Sequence, residues 1–474
     1  MGMSKKVFLY TFTLIIILAF FLRFYNLDIK PMHHDEGVQQ HYYIQPLLEN
    51  RALDYLGTEY HGLLPHFLSY PFIKIFGISP FSLRFTGSLF GALTIFLLFF
   101  LRKYIGNMGV LFSAAFLAIS PIFVYYSRQY TGYPFYIFFL LLFIIFGLKF
   151  FDEQKRHYLY FAAATAALIL NINEAFLIFI FILAAFLYIN YLFKEDSFNE
   201  KLNTLKKIKL KYFIFAFLIF IFIFTIIHTN FFFKMGNMGK LMNFNQDFST
   251  KAISTGHNKG FTYYFTLIIP FEIGILLLSL IGLFYFKKNK FSYFLIIWTL
   301  STLIIFSIIS YKANWIMPVI IIPMVLLAGN TIDYLSKKSK TLTIIGGILL
   351  LLITLFFSIQ QNFVVVNDFE RNKVGYVETS TEINNMILDI NGYSGGKSTK
   401  ILITAHSYWP MPSYLMKHNL MYLTEIEELN ASAYPQYDIF IVDINQLKQK
   451  FASFESRDYE IRNNYKIRVL FRRL

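Results

Sequence analysis

The chain opens with an uncharged apolar stretch, VFLYTFTLIIILAFFL at residues 7–22, and soon afterwards reaches the run His33-His34-Asp35-Glu36. An apolar run of this length is long enough to enter a membrane as a helix. It lacks a small-residue cleavage site, so we expect a retained anchor and not a signal peptide. Two acids beside a membrane are costly unless they are used, and an ionised carboxylate there can accept a proton from a hydroxyl.

Composition indicates a polytopic membrane protein. Of 474 residues, 56% are hydrophobic, 20% are aromatic and only 15% are charged, which is typical of chains that cross the bilayer several times. The net charge of +15 comes largely from lysines clustered between apolar segments, as the positive-inside rule requires. We therefore expect no nucleic-acid partner. The absence of cysteine excludes disulfides, thiolate metal sites and cysteine nucleophiles.

Windows of about twenty apolar residues predict eleven transmembrane helices. The windows are residues 7–22, 82–101, 108–124, 133–151, 158–170, 175–192, 212–227, 263–286, 291–310, 315–329 and 342–359. With the N-terminus in the cytoplasm, alternate threading places every strongly basic turn on the cytoplasmic face. A further apolar segment, residues 63–78, is short and contains prolines, a histidine and a lysine. We interpret it as an interfacial helix, because counting it as a span would invert everything downstream.

On this topology the polar features gather on the outer face of the cell membrane. They are the loop 26–79, the turns near Arg128, Glu174 and Lys312, the loop 229–262 and the C-terminal tail. The tail has strand-like runs at 400–405, 439–442 and 467–471 and helix-compatible stretches at 378–390 and 412–418. We therefore predict a membrane domain over residues 1–360 and a small extracytoplasmic α/β domain over 361–474.

Several short motifs, in order, carry a family resemblance. The acidic pair, EYHGLLPH at residues 59–66 and SPFSLR at residues 79–84 resemble glycosyltransferase family 39, which includes protein O-mannosyltransferases and aminoarabinose transferases. Four later motifs resemble the subfamily of flippase-activity-associated proteins of archaeal-type glycosylation. They are YKANW at 311–315, DFERN at 368–372, ETS at 378–380 and YWPMPSYL at 408–415. The resemblance covers essentially the whole chain and implies the membrane-embedded GT-C fold with about eleven transmembrane helices.

The family resemblance also implies a chemistry. A mannose-like sugar would be transferred with inversion from a polyprenyl-phosphate donor to a hydroxyl acceptor on the outer face, the acceptor being a protein or a lipid-linked glycan. The first-loop acid of the family acts as general base, and Asp35 occupies that position, with Glu36 as the second catalytic candidate. The departing phosphate needs a cationic clamp. Arg128, Lys312 and Arg84 are the candidates.

Three further residues are substrate-binding candidates. Glu59 and His61 lie in EYHGLLPH, and Glu174 resembles the acid of a Lys-Glu-Thr-Ala-Phe type motif in relatives, with Asn173 in place of the lysine. Many relatives place a second carboxylate shortly after the arginine that corresponds to Arg128, and this chain has none there. A second acid would then come from Glu36, Glu59 or Glu174. We predict no resident cofactor and no metal site, while leaving divalent-cation dependence open, since His33 and His34 beside two acids are potential ligands.

Each assignment has a structural alternative. Asp35 and Glu36 could cap the helix that follows them, Arg128 could anchor an aromatic membrane boundary, and Lys312 could extend harmlessly to the surface. The glycine- and lysine-rich loop 229–262 could be a lid over a phosphate headgroup or a solvated linker. Tyr408 and Trp409 could stack on a sugar or fill the core of the tail domain.

Two other functions compete with that of an enzyme. The chain could be a transport component that assists the flipping of lipid-linked sugars, or a structural partner whose tail recruits other glycosylation proteins. Transporters commonly contain repeats or helices broken near the bilayer midplane, and the sequence indicates neither. Because the polar residues gather on one face, we favour the transferase.

Overall fold

A computed structural model describes residues 3–56, 62–192, 209–240, 258–284, 290–423, 429, 433–446 and 453–473. The helices of the membrane region and the loops between them are α1 (Lys5–Phe24), α2 (His34–Gln39), α3 (Gln45–Leu48), α4 (Leu64–Phe76), α5 (Pro80–Leu97), α6 (Arg102–Ile119), α7 (Pro121–Ser127), α8 (Tyr133–Glu153), α9 (Arg156–Leu170), α10 (Ala175–Leu192), α11 (Leu210–His228), α12 (Asn237–Lys240), α13 (Phe265–Phe271), α14 (Ile273–Phe284), α15 (Lys290–Ile308), α16 (Met317–Ser336) and α17 (Lys340–Ile359). The tail contains α18 (Glu382–Tyr393), α19 (Met411–Tyr414) and the strands β1 (Lys400–Ile403), β2 (Asn419–Tyr422), β3 (Ile439–Asp443), β4 (Phe454–Arg462) and β5 (Tyr465–Arg472).

All eleven predicted windows contain a helix, but the count of eleven crossings is not confirmed. Among the described residues, seven helices are long and apolar enough to cross a membrane, or eight if one bent pair counts as a single span. One of the seven is the 40-residue run Pro80–Ile119, about twice as long as one crossing requires. Gly106 interrupts it with a φ of 76°. The polypeptide therefore has room to turn back at Gly106, in the first part of α6.

The bent pair is a feature that the sequence analysis missed. Helices α13 and α14 meet at 106°, directly after Pro270 inside α13. The Glu272 side chain at this break accepts hydrogen bonds from the Ser120 hydroxyl and the Ile122 amide. A proline and a buried carboxylate held by a distant loop bend the chain, and hydropathy alone does not report that distant contact.

Helix α4, from the segment predicted to lie at the interface, is only 13 residues long. His66 in its first turn hydrogen-bonds the Tyr130 hydroxyl through Nδ1 at 2.7 Å, and Ile73 near its other end packs in one cluster with Tyr130. Helix α4 is not among the helices long and apolar enough to cross a membrane, and its position at the interface stays a prediction.

The loops that were predicted to share the outer face contact one another. The Gly62 amide donates to the Ile172 carbonyl at 3.1 Å, and the Tyr55 amide donates to Asn237 Oδ1 at 3.0 Å. Asn314 donates to carbonyls of the tail, including that of Val374 at 3.1 Å. These contacts join the first loop to two later loops and the tail to the turn after α15. Which side faces the cytoplasm stays a prediction.

The centre of the bundle depends on a close approach of α6 and α16. Helix α16 is the most buried of the candidate spans, and it crosses α6 where Gly109 faces Gly329. A Cβ atom added at Gly329 would lie 2.4 Å from the Gly109 carbonyl oxygen and 1.9 Å from Ser113 Oγ. Small residues allow such backbone contact between membrane helices, where packing replaces the hydrophobic effect.

The tail forms the small α/β domain that was predicted. Its five strands lie in the order β2-β1-β3-β5-β4, with β1 parallel to β2 and β3, and β5 antiparallel to β3 and β4. Helix α18 covers one face through Ile383, Met386 and Ile390. The domain contacts the first loop, where the Ser413 hydroxyl donates to the Gly37 carbonyl at 3.1 Å. The precise limits of the two domains stay a prediction.

Replacement of Gly329 by alanine is expected to lower the thermal unfolding midpoint of the detergent-solubilised protein, because the new methyl group would overlap the Gly109 carbonyl. Overpacking of this kind costs about 1–3 kcal/mol. Gly346→Ala in α17 is the matched control, since nothing lies within 4 Å of its Cβ position. Equal midpoints for the two variants would contradict the proposed helix contact.

Candidate active site

The two acids of the first loop begin helix α2, and His33 caps it. The His33 amide donates to Glu36 Oε2 at 2.8 Å, while the Asp35 amide donates to His33 Nδ1 at 3.1 Å. His33 Nε2 lies 2.8 Å from the Tyr376 carbonyl oxygen, which can only accept a hydrogen bond. Nε2 therefore carries a hydrogen that it donates to this carbonyl.

Glu36 is sealed inside the protein. Its carboxylate accepts from Arg84 Nε at 2.8 Å and Arg84 Nη2 at 2.6 Å, and from the Tyr130 amide at 2.8 Å. Burial alone raises the pKa of Glu36, but the Arg84 charge and its hydrogen bonds outweigh that effect and lower the pKa to about 2. Glu36 therefore stays ionised, and both of its oxygens are occupied. This geometry favours a structural role for Glu36 over the predicted catalytic one.

Arg84 uses its remaining N–H groups on the first loop. It donates to the carbonyl oxygens of Leu27, Lys30 and Pro31 at 2.7–3.1 Å. Counted with the two bonds to Glu36, all five guanidinium hydrogens have partners. Arg84 therefore holds the backbone that leads to α2. Such saturation does not favour the phosphate-clamp role predicted from the sequence.

Arg128 caps the end of α1 instead of facing an open site. It donates to the carbonyl oxygens of Leu22, Tyr25 and Asn26 at 2.7–3.0 Å. The last carbonyls of a helix lack intrahelical partners and carry partial negative charge, so a cation there is stabilising. The side chain is largely buried. These contacts favour the structural alternative for Arg128, although a phosphate role is not tested by them.

Asp35 differs sharply from its neighbour because its side chain is 34% exposed, whereas that of Glu36 is fully buried. The Asp35 carboxylate lies 3.6 Å from His33 Nδ1. Two adjacent acids thus occupy opposite environments, which is how enzymes separate the roles of paired carboxylates. Of the two predicted catalytic acids, Asp35 is the one that an incoming hydroxyl could reach.

The tail domain supplies a cation beside Asp35 that sequence reasoning missed. Arg462 at the end of β4 donates from Nη2 to His34 Nδ1 at 2.6 Å and to the Trp409 carbonyl at 3.0 Å. Burial lowers the pKa of Arg462, and the Asp35 charge opposes that shift. Burial also lowers the pKa of His34, to about 4. His34 is therefore neutral near pH 7, as an acceptor from Arg462 must be.

A second tail segment enters the site through Glu378, which was noted only as part of the ETS motif. Lys30 Nζ lies 3.2 Å from Glu378 Oε2 and 2.9 Å from the Tyr125 hydroxyl. Tyr125 donates to the other Glu378 oxygen at 2.6 Å. Burial would raise the pKa of Glu378, but the Lys30 charge lowers it. This closed triangle ties the first loop, α7 and the tail together.

Lys312 and Lys259 lie together at the turn after α15. Lys312 Nζ donates to the carbonyl oxygens of Ile309 at 2.6 Å and Lys259 at 2.9 Å. Lys259 Nζ donates to the Tyr263 hydroxyl at 2.7 Å and lies 4.2 Å from the centre of the Tyr376 ring. Burial lowers the pKa of Lys259 to about 8. Lys259 belonged to the predicted basic loop but was not selected as a site residue.

The remaining predicted residues are less informative. Glu59 and His61 lie outside the described residues, as does half of the predicted lid, residues 241–257. Glu174 directly precedes α10 and interacts electrostatically with Tyr133 and Tyr136 of α8. Within the ranges that the structure describes, three or more histidines, aspartates or glutamates do not come together as a group suited to a metal ion.

This architecture, a bundle of apolar helices whose first loop presents one open and one sealed acid beneath an α/β tail, defines a GT-C type membrane protein. Residues 60–229 match the sequence model of the dolichyl-phosphate-mannose-protein mannosyltransferases. The structure is similar to ArnT from Cupriavidus metallidurans bound to undecaprenyl phosphate, with a TM-score of 0.67, 14% identity and 98% coverage of both chains. Apo ArnT gives a TM-score of 0.68 and 13% identity over the same share of each chain.

No curated protein sequence matches the chain. The family model and the two ArnT structures nevertheless confirm the resemblance to glycosyltransferase family 39 and its GT-C fold. The family model covers the region from the first loop to the end of α11. The likeness to ArnT extends over the tail domain as well.

Replacement of Glu36 by glutamine is expected to cost about 3–5 kcal/mol of stability near neutral pH, because it leaves the Arg84 charge buried without its counter-ion. The folded-state pKa of Glu36 is depressed. Its contribution in the wild type is therefore present above the ordinary glutamate pKa and is lost as the pH falls toward about 2. Thermal unfolding midpoints between about pH 7 and pH 3 measure both effects.

Glu49→Gln is the control for that measurement, because Glu49 forms an exposed pair with Arg51 in the same loop. Its midpoint should stay close to that of the wild type. Below about pH 4 the gap between the wild type and Glu36→Gln should narrow. A gap that is small at neutral pH would contradict the importance of the buried pair.

Proposed function

We propose that this protein is an integral-membrane glycosyltransferase that moves a mannose-like sugar from a polyprenyl-phosphate donor to a hydroxyl acceptor. The observation that carries the proposal is the partly exposed carboxylate of Asp35, held at the start of α2 beside the sealed Glu36–Arg84 pair. The undecaprenyl phosphate bound to ArnT supports a polyprenyl-phosphate carrier. The mannosyltransferase family model supports a hexose donor.

In the proposed reaction the oxygen of the acceptor hydroxyl attacks the anomeric carbon of the donor sugar, and Asp35 accepts the hydroxyl proton. The bond between that carbon and the phosphate oxygen breaks with inversion, and its electron pair leaves with the polyprenyl phosphate. His33 is fixed by the Tyr376 carbonyl and accepts from the Asp35 amide, so it orients the Asp35 backbone. A carboxylate within hydrogen-bond reach typically contributes about 10²–10⁴-fold to such a step.

The departing phosphate needs positive charge, and the geometry favours Lys259 over the two arginines predicted for this role. Arg84 donates hydrogen bonds to Glu36, and Arg128 donates to backbone carbonyls. Among the residues that the structure describes, the Lys259 ammonium donates one hydrogen bond, to Tyr263, and lies over the Tyr376 ring. Tyr376 in turn holds His33 next to Asp35. We therefore assign the phosphate to Lys259, with Lys312 supporting the loop that carries it.

A transport role is the second candidate, and the bend between α13 and α14 favours it, since broken helices are common in transporters. Only one such bend occurs among the described helices. At this bend, one oxygen of the Glu272 side chain, Oε1, accepts hydrogen bonds from the Ser120 hydroxyl and the Ile122 amide. A component that only assists flipping has no need of an exposed base at Asp35. The two candidates therefore differ in what an Asp35 substitution does.

Asp35→Asn is expected to reduce sugar transfer from a polyprenyl-phosphate sugar by at least about 100-fold, because the amide cannot accept the hydroxyl proton. Donor binding and thermal stability should stay near wild-type values, since the side chain is partly exposed and asparagine has nearly the same shape. Transfer is measured with purified protein in nanodiscs. Asp28→Asn, an exposed acid earlier in the same loop, is the control. Full transfer by the Asp35 variant would reject the base and favour the transport role.

Affinity for undecaprenyl phosphate is expected to fall as the pH rises through about 8, the lowered pKa of Lys259, because the deprotonated amine no longer attracts phosphate. The loss should be about tenfold between pH 7 and pH 9. Lys259→Arg should flatten this dependence, since a guanidinium stays charged. Lys234→Arg, at an exposed lysine paired with Asp54, should leave it unchanged. A pH profile shared by all three proteins would exclude Lys259.

A further inference from the structure

Five aromatic side chains line the seam between the segment after α2 and the tail domain. His41 and Tyr42 come from the first loop, and Tyr408, Trp409 and Tyr422 come from the tail. The ring centres of neighbouring members lie 5.1–6.0 Å apart, from His41 and Tyr42 through Trp409 to Tyr408 and Tyr422. We refer to these five residues as the aromatic seam. It is continuous although its members are far apart in the chain.

The aromatic seam is open to solvent at one end and leads toward Asp35 at the other. Tyr42 is 46% exposed, and the tail members are partly buried. At the inner end, the Trp409 carbonyl accepts from Arg462, which also binds His34. His34 is the chain neighbour of Asp35. Arg462 therefore links the seam to the residue next to the proposed base, and its Nε hydrogen has no partner among the described residues.

We propose that the aromatic seam binds a saccharide ring of the acceptor and so presents an acceptor hydroxyl to Asp35. This inference rests on the proposed transferase function and names the class of its acceptor as a glycan. The C–H groups on one face of a pyranose are weakly positive, so they pack against the negative face of an aromatic ring. The sugar hydroxyls at the ring edge meet donors such as Arg462. Aromatic rings beside a guanidinium suit this mixed surface.

The composition of the seam distinguishes it from the lipid-facing surface of the same protein. Exposed side chains on the membrane helix α11 are mainly phenylalanine, leucine and isoleucine, for example Phe215, Phe217 and Leu218. The seam instead contains only histidine, tyrosine and tryptophan, which each carry a polar group on the ring. A ring with a polar group can face water and a sugar hydroxyl together, which an insertion into acyl chains does not require.

The test measures saccharide binding directly by saturation-transfer NMR on the full-length protein in nanodiscs, with mannotetraose, cellotetraose and chitotetraose as probes. At least one probe should bind the wild type. Tyr42→Ala should weaken that binding about tenfold, whereas Tyr42→Phe keeps the ring and loses only the hydroxyl, so it should bind more tightly than the alanine variant. Tyr42 is exposed, so the alanine variant should fold. Trp409→Phe provides a second variant, with intermediate affinity expected.

Binding is measured in parallel in the Asp35→Asn background, where transfer should be lost while binding persists. If a saccharide binds there and no transfer is found in any protein, the seam stands and the proposed reaction fails. Conversely, transfer by the wild type without saccharide binding overturns the seam. Preferential binding of an unglycosylated serine peptide also overturns it. So does quenching of Trp409 fluorescence by brominated lipids in a Trp298→Phe, Trp315→Phe protein, because that places the seam in the membrane.

Discussion

The buried ion pair of Glu36 and Arg84 is the constraint on which the site depends. Two charges in a dry interior are tolerated only when every lone pair and hydrogen has a partner, and here that condition is met by Tyr130, His33 and the backbone of the first loop. The pair fixes where α2 begins. It thereby fixes Asp35 at the adjacent position, on the opposite side of the helix start, where the carboxylate is open.

The tail domain contributes side chains and backbone groups that contact the residues around Asp35. Tyr376 sets the tautomer of His33, Glu378 neutralises Lys30, and Arg462 faces Asp35 from the end of β4. Burial keeps His34 neutral near pH 7, so it can accept the hydrogen bond from Arg462. The tail therefore brings a positive charge to the residue next to Asp35.

Much of the site was within reach of the sequence, but the roles were not. The acidic pair was visible at residues 35 and 36, yet nothing local indicates which acid is sealed, because Arg84 and Tyr130 are distant in the chain. The sequence predicts Arg128 and Arg84 as phosphate clamps, but in the structure both side chains donate hydrogen bonds to backbone carbonyls. Glu378 and Arg462 lie in the tail, and only the docking of that domain reveals their partners.

Hydropathy and periodicity by themselves determined that this is a polytopic helical membrane protein with an α/β tail, because burial in lipid or in a sheet is written in the order of neighbouring side chains. The helix windows and three of the five strands follow from that local pattern. Only the tertiary structure decided where α13 bends into α14, which acid is open, and which cation remains for a ligand. Those features depend on charges brought together from distant positions, and their energies exist only once water has been excluded.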